Sequence, residues 1–148
     1  MGRIVTCGIF IKYKDSLLIV HPTGTALTQW SIPKGEIEIK ETELECAIRE
    51  TYEETNLNLQ ELFYHIKFIG TVDYLKTHKT LHAFMLDLTH ILHKYEQIKD
   101  VVINNKFKCT SLTPKGYPEN NFIQFHEIQS IKNKSLLHET QMRLIHKI

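Results

Sequence analysis

The sequence predicts an α/β fold in which helices cover both faces of a β-sheet. Three observations carry this. The segments 4–12 (IVTCGIFIK) and 17–21 (LLIVH) are nearly continuous apolar runs, the pattern of strands buried on both faces. Residues from 41 or 42 to 56, and from 131 to 147, read instead as amphipathic helices. The order along the chain is hairpin, strand, helix, several strands, final helix, a layered α/β arrangement.

A chain of 148 residues is one domain by size, residues 1–148, and long enough to bury a real core. Apolar residues make up 42% and charged residues 24%, and the net charge of +1 argues for neither a nucleic-acid surface nor a membrane. Cys7, Cys46 and Cys109 have no metal or disulfide spacing, which points to a reducing compartment, the cytoplasm. No apolar run with a cleavage site opens the chain, and no window of 18 apolar residues exists, so neither a signal peptide nor a membrane span is expected.

In chain order, 4–12 and 17–21 form a hairpin about the turn Tyr13–Ser16, and the Pro, Gly and polar residues of 22–29 make a loop. Trp30 anchors a short strand. Pro33 fixes the backbone before Gly35, where the chain turns closely. A helix then begins near Glu41 or Thr42, with Thr42 and Glu45 spaced as a capping box, and ends near Asn56. With Glu50 as zero on its wheel, Glu53 and Glu54 fall at about −60° and +40°. Leu44, Ala47, Ile48 and Thr51 form the apolar stripe, centred roughly 110° away. The glutamates are therefore no part of the core. Arg49 lies four residues after Glu45 and four before Glu53, placed to pair with both.

Three neighbouring carboxylates repel one another, and a divalent cation would remove that cost. Hard oxygen ligands suit Mg²⁺ or Mn²⁺ rather than thiolate-held zinc. The glutamates alone read equally as a solvated acidic helix face.

Beyond the helix, 60–69 (QELFYHIKFI) reads as a strand ended by Gly70, 71–79 as a loop or irregular strand, and 80–88 (TLHAFMLDL) as a clearer strand. Residues 90–102 fit a strand or a short helix. Residues 104–121 are loop-like, with Pro114, Gly116 and Pro118, and carry Lys106, Lys108, Lys115, Tyr117 and Glu119. Such a basic and aromatic loop can hold a base and phosphates, or be a plain surface excursion. FIQFHEI at 122–128 reads as a strand running into a helix start, and 131–147 as a closing helix that serves as scaffold. His78 and His82 read as structural histidines.

Gly35, five residues, Glu41, seven residues, then Arg49-Glu50-Thr51-Tyr52-Glu53-Glu54-Thr55-Asn56-Leu57 closely resembles the Nudix box. Every charged position and the opening Gly match. Thr51 replaces an apolar residue, and Asn56, which tolerates a left-handed backbone, replaces the closing Gly. The resemblance is strong from Trp30 to Leu57 and a matter of layout elsewhere. It implies the Nudix fold, a mixed β-sheet sandwiched between helices (α/β/α). It also implies Mg²⁺, or Mn²⁺, held by Glu50, Glu53 and Glu54 with the backbone carbonyl of Lys34. Arg49 and Glu41 brace the carboxylates, and Glu53 or Glu54 takes the proton from water unless Glu119 or Glu127 does. The Lys34 side chain and His21 flank the expected path of the substrate diphosphate; each reads otherwise as a loop lysine and a strand-end histidine.

The implied reaction is hydrolysis of a diphosphate linkage in a nucleoside diphosphate bearing a group X. WSIPKGEIE resembles the entry segment of dinucleoside polyphosphate hydrolases and RNA 5′-pyrophosphohydrolases, and Lys79, His82 and Phe84 loosely resemble a central strand of the former. Lys79 and Tyr117 join Lys34 and His21 as expected substrate contacts. Dinucleoside polyphosphates such as Ap4A rank first. RNA 5′ ends, (d)NTPs and ADP-ribose follow, and a non-catalytic nucleotide-binding module is the reading from another class. The expected state is a monomer or homodimer.

Overall fold

The structure is a computed structural model that describes residues 2–148. Its strands are β1 (Ile4–Tyr13), β2 (Ser16–Pro22), β3 (Lys34–Glu36), β4 (Lys67–Asp73), β5 (Lys79–Asp87) and β6 (Asn120–Glu127). Its helices are α1 (Glu43–Thr55), α2 (Glu96–Ile103), α3 (Ile128–Lys134) and α4 (Glu139–Met142). The sheet runs β4-β5-β1-β2-β6, and β3 pairs with β1. Only β1 and β5 run parallel, so the sheet is mixed.

Alternation along β1 divides the core into two layers. Cys7, Ile9 and Ile11 face Cys46, Ala47 and Ile48 of α1 on one side, while Phe10 faces Ile32, Ile131, Leu137 and Leu144 on the other. The first strands are apolar at nearly every position because each face of the sheet is covered by helix. This is the expected α/β/α sandwich.

β1 also fixes the approach to α1. Its first half pairs with β3 in the register Thr6↔Glu36, Cys7↔Gly35 and Gly8↔Lys34. A Cβ on Gly8 would stand 2.8 Å from both the Lys34 Cβ and the Pro33 carbonyl oxygen. The bare glycine therefore lets the two backbones close up at this point.

Two stretches differ from expectation, and 90–102 takes the helical of its two expected forms. Residues 60–69 are not one strand: Gln60–His65 is a 3₁₀ turn that buries Leu62, and β4 begins only at Lys67. Residues 90–102 resolve into a short 3₁₀ turn at Leu92–Lys94 followed by α2. The closing helix 131–147 is broken into α3, α4 and a last 3₁₀ turn, Ile145–Lys147. The break is at Ser135, whose φ of 49° ends α3 with a left-handed residue. The interrupted segment 135–138 then carries Leu136 and Leu137 to Trp30, whose N–H donates to the Leu136 carbonyl (2.7 Å).

Candidate active site

α1 is closed at both ends as its sequence dictates. The Glu45 N–H donates to Thr42 Oγ1 (3.1 Å) and the Thr42 N–H to Glu45 Oε1 (2.9 Å), a complete capping box. Asn56 ends the helix with φ 72°, the left-handed conformation that glycine otherwise supplies. Thr51, fully buried where an apolar residue was expected, donates its hydroxyl to the Ala47 carbonyl (2.8 Å). Its polarity is thereby satisfied inside the helix.

The acidic stripe lies where the wheel places it, clear of the core. Arg49 is its hub. Nε and Nη2 donate to the two oxygens of Glu41 (2.7 and 3.0 Å), and Nη1 donates to Glu50 (2.8 Å) and Glu53 (3.2 Å). The bidentate fork lowers the pKa of Glu41 and fixes Arg49 more firmly as a cation. Nη2 also donates to the Glu36 carbonyl (3.1 Å), tying α1 to the end of β3. Arg49 thus links Glu41 to Glu50 and Glu53 in one hydrogen-bonded group.

Glu50 and Glu54 are buried, at 9% and 6% exposure. Loss of hydration pushes Glu50 up to about 7, against the pull of Arg49. The same loss pushes Glu54 up to about 8. The Lys34 backbone N–H, which donates to Glu54 Oε1 (3.1 Å), opposes that rise, and the charges of Glu50 and Glu119 add to it. A Cβ on Gly35 would overlap the Glu50 carboxyl, so this glycine makes room for it. The donor chemistry fits a hard divalent cation: carboxylate oxygens only, two of them on buried groups whose ionised form a cation would favour. Their side chains are not gathered around a point, because Arg49 draws Glu50 and Glu53 while Glu54 turns to Lys34. Among the described residues no group of three His, Cys, Asp or Glu side chains is close enough to hold a metal ion.

A cavity of about 650 Å³ opens beside the stripe. Lys34 and Glu54 stand in its wall. Gln29, Trp30 and their neighbours in the loop before β3 line another part, with Val20 and Pro22 of β2 behind them; Ser135–Glu139 and the group Thr113, Glu119 and Asn120 complete it. Sequence reasoning missed the Ser135–Glu139 wall, which an unbroken closing helix would have kept from the cavity.

The other expected contacts scatter. His21 is 1% exposed, with Nδ1 on Asn121 Oδ1 (2.6 Å) and Nε2 on the Ala26 carbonyl (2.9 Å). It braces the 22–29 loop behind Trp30, so the expectation of a substrate contact is corrected: neither ring nitrogen is available. Lys79 pairs with Glu36 (3.3 Å) at the start of β5 and does not line the cavity. Tyr117 is exposed in a tight turn closed by Thr113 N–H on its carbonyl (2.7 Å), at the tip of the loop whose stem supplies Thr113 and Glu119. Glu127 sits at the far end of β6, opposite Ser16, and lines a separate hollow, which removes it as a proton acceptor for this site. Glu119 is the late-loop carboxylate that the fold delivers.

The chain belongs to the Nudix family: the family model described as NUDIX domain matches residues 2–133. This is an enzyme family acting on pyrophosphate bonds. No curated protein matches the chain in sequence. Among solved structures, the chain is similar to an E. coli dihydroneopterin triphosphate pyrophosphohydrolase, at 15% identity and TM-score 0.69, covering 100% of this chain and 97% of that one. A C. elegans Ap4A hydrolase is 19% identical with TM-score 0.61, covering 97% and 93%. A bifunctional NMN adenylyltransferase/ADP ribose pyrophosphatase from Francisella tularensis, complexed with AMP and a manganese ion, is 17% identical with TM-score 0.68. This chain spans 40% of that protein's length. At such identities the likeness establishes the fold and spreads over several substrate classes. No helix among the described residues is long and apolar enough to cross a membrane.

Proposed function

We propose that this protein hydrolyses a diphosphate linkage in a nucleoside diphosphate-X substrate, with a dinucleoside polyphosphate such as Ap4A as the preferred class. The observation that carries the reaction is that Glu54, on the helix stripe it shares with Glu50 and Glu53, lines a cavity together with Lys34. Glu50, Glu53, Glu54 and the Lys34 carbonyl would hold Mg²⁺ or Mn²⁺. Such an ion supplies neutralisation of phosphate oxygens and acidification of a bound water.

The chain's own residues do the rest. Arg49 orients Glu50 and Glu53 from one side, and the Lys34 N–H orients Glu54 from the other. The Lys34 ammonium is a point charge for phosphate. Glu53, Glu54 and Glu119 are the carboxylates placed to take the proton of the attacking water.

The ranking of Ap4A rests on the Trp30–Glu38 segment and on Lys34 in the cavity wall, which suits a substrate with more than two phosphates. The test is kcat/KM for Ap4A, ADP-ribose, 8-oxo-dGTP, GDP-mannose and a 5′-triphosphorylated RNA, with Mg²⁺ and with Mn²⁺. Ap4A should lead, and Lys34→Ala should reduce its turnover. ADP-ribose or the nucleotide sugar leading Ap4A by roughly tenfold, about 1.4 kcal/mol, overturns the ranking.

A further inference from the structure

We propose that His138 reads the nucleobase of the substrate, donating a hydrogen bond from Nε2 to an acceptor on a base stacked at Trp30. The assignment rests on the reading of this cavity as the substrate site.

Two neighbours fix the tautomer and the plane of the ring. His138 stands immediately before α4, and its Nδ1 accepts from the Thr140 backbone N–H (3.3 Å) and lies 2.9 Å from Thr140 Oγ1. An N–H donor leaves Nδ1 no room for a proton, so in the neutral ring the proton is on Nε2. The His138 side chain is exposed at the cavity mouth; partial loss of hydration there lowers its pKa, the Glu139 charge opposes this, and the Lys34 and Arg143 charges add to it. The Tyr74 ring packs against it at 5.2 Å between centroids and 39° between planes. Nε2 is left as the one ring nitrogen without a hydrogen-bond partner among the described residues, and the side chain lines the cavity.

Other walls of the cavity say what would meet this donor. The Trp30 indole, its Nε1–H already given to the Leu27 carbonyl (2.8 Å), has only its apolar surface to offer. An aromatic wall with one fixed N–H donor suits a nucleobase, whose ring stacks while a ring nitrogen or carbonyl accepts. Lys34 and Glu54, also in the wall, mark the end nearer the acidic stripe, so phosphates lie there and the base at Trp30 and His138. The neighbouring Glu139, a carboxylate that accepts from Arg143 (3.0 Å), has no proton to donate to the same acceptor.

The test uses the sole tryptophan of the chain as reporter. AMP is titrated into the full-length protein in EDTA, followed by Trp30 fluorescence and by calorimetry, with ribose 5-phosphate as the base-free control. AMP should quench Trp30, and the control should not. His138→Asn keeps an oxygen to cap Thr140 but loses the outward donor; His138→Gln keeps a donor near Nε2 and loses the cap. His138→Asn should raise the Kd for AMP by about three- to tenfold, the worth of one hydrogen bond, with little change in Tm. His138→Gln should lower the Tm and leave the Kd near that of the parent. An Asn variant that binds AMP as the parent does overturns the proposal and leaves His138 as a cap. Wild-type turnover of Ap4A tests the substrate class separately. AMP binding that depends on His138, in a protein that prefers ADP-ribose, upholds the base site and removes only the dinucleoside reading.

Discussion

Glu54 concentrates the chemistry of the site in one side chain. It is buried, bonded to the Lys34 N–H, and near two further carboxylates, Glu50 and Glu119, whose charges raise its pKa. Glu54→Gln keeps its shape and removes its charge. Hydrolysis should fall on the order of tenfold or more, the usual cost of disturbing a metal site. The fold should hold, because Gln keeps the shape of a carboxyl that burial already favours in its neutral form. Full turnover by this variant across the nucleotide panel would remove Glu54 from the mechanism. The acidic stripe, Arg49 and Glu41 were legible in the sequence because all but Glu41 lie within one helix, where spacing alone fixes the angle between side chains. His138 was hidden, and Glu119 could not be told from Glu127 as the late-loop carboxylate, because tertiary contact rather than spacing brings these groups to Glu54. His21 misled for a related reason: a strand-end position shows that a histidine is near a loop, not whether the loop has consumed both its nitrogens.

At the scale of elements, α1 was legible to within a residue or two. Thr42, Glu45 and Asn56 are local stop and start signals that act within the helix's own backbone. The closing helix was not, since the left-handed turn at Ser135 is carried by an ordinary serine, and the reward for breaking there is distant. Part of that reward is Gln141, fully buried in α4. Its Oε1 accepts from the Ile32 N–H (2.9 Å) and its Nε2 donates to Ser31 Oγ (3.0 Å). One side chain thus pins the segment leading into β3 to the last helices, across more than a hundred residues. Gln141→Ala would leave the Ile32 N–H buried without a partner. It should destabilise the protein by about 1–3 kcal/mol, read as a shift in the urea midpoint at constant slope. Because Ile32 leads directly to Lys34, KM should rise as well. An unchanged midpoint would mean that water reaches the orphaned amide.

Across the whole molecule, one sheet brings the site together by stacking α1 on one face and the α3–α4 segment on the other, with the cavity at their shared edge. The folded state therefore buries Glu50 and Glu54 under a layer whose stability depends on their protonation. Both have folded pKa values, about 7 and about 8, above the ordinary 4.5. A carboxyl whose pKa is raised by folding binds more protons in the native state than in the unfolded one. Its favourable contribution is complete below pH 4.5 and is lost as pH rises through the folded value. The metal-free protein should consequently lose thermal stability steadily from about pH 5 to about pH 8, with little further loss above that from these two groups. Mg²⁺ held as proposed would bind the ionised carboxylates, so its stabilising effect should run the other way, small at pH 5 and large at pH 8. Melting curves in EDTA and in Mg²⁺ across this range test both slopes. Glu54→Gln should flatten each of them, since it removes the more strongly shifted group. A metal-free protein whose Tm rises from pH 5 to pH 8 would show that the acidic stripe is ionised and solvated without an ion, and that some other group governs the response to pH.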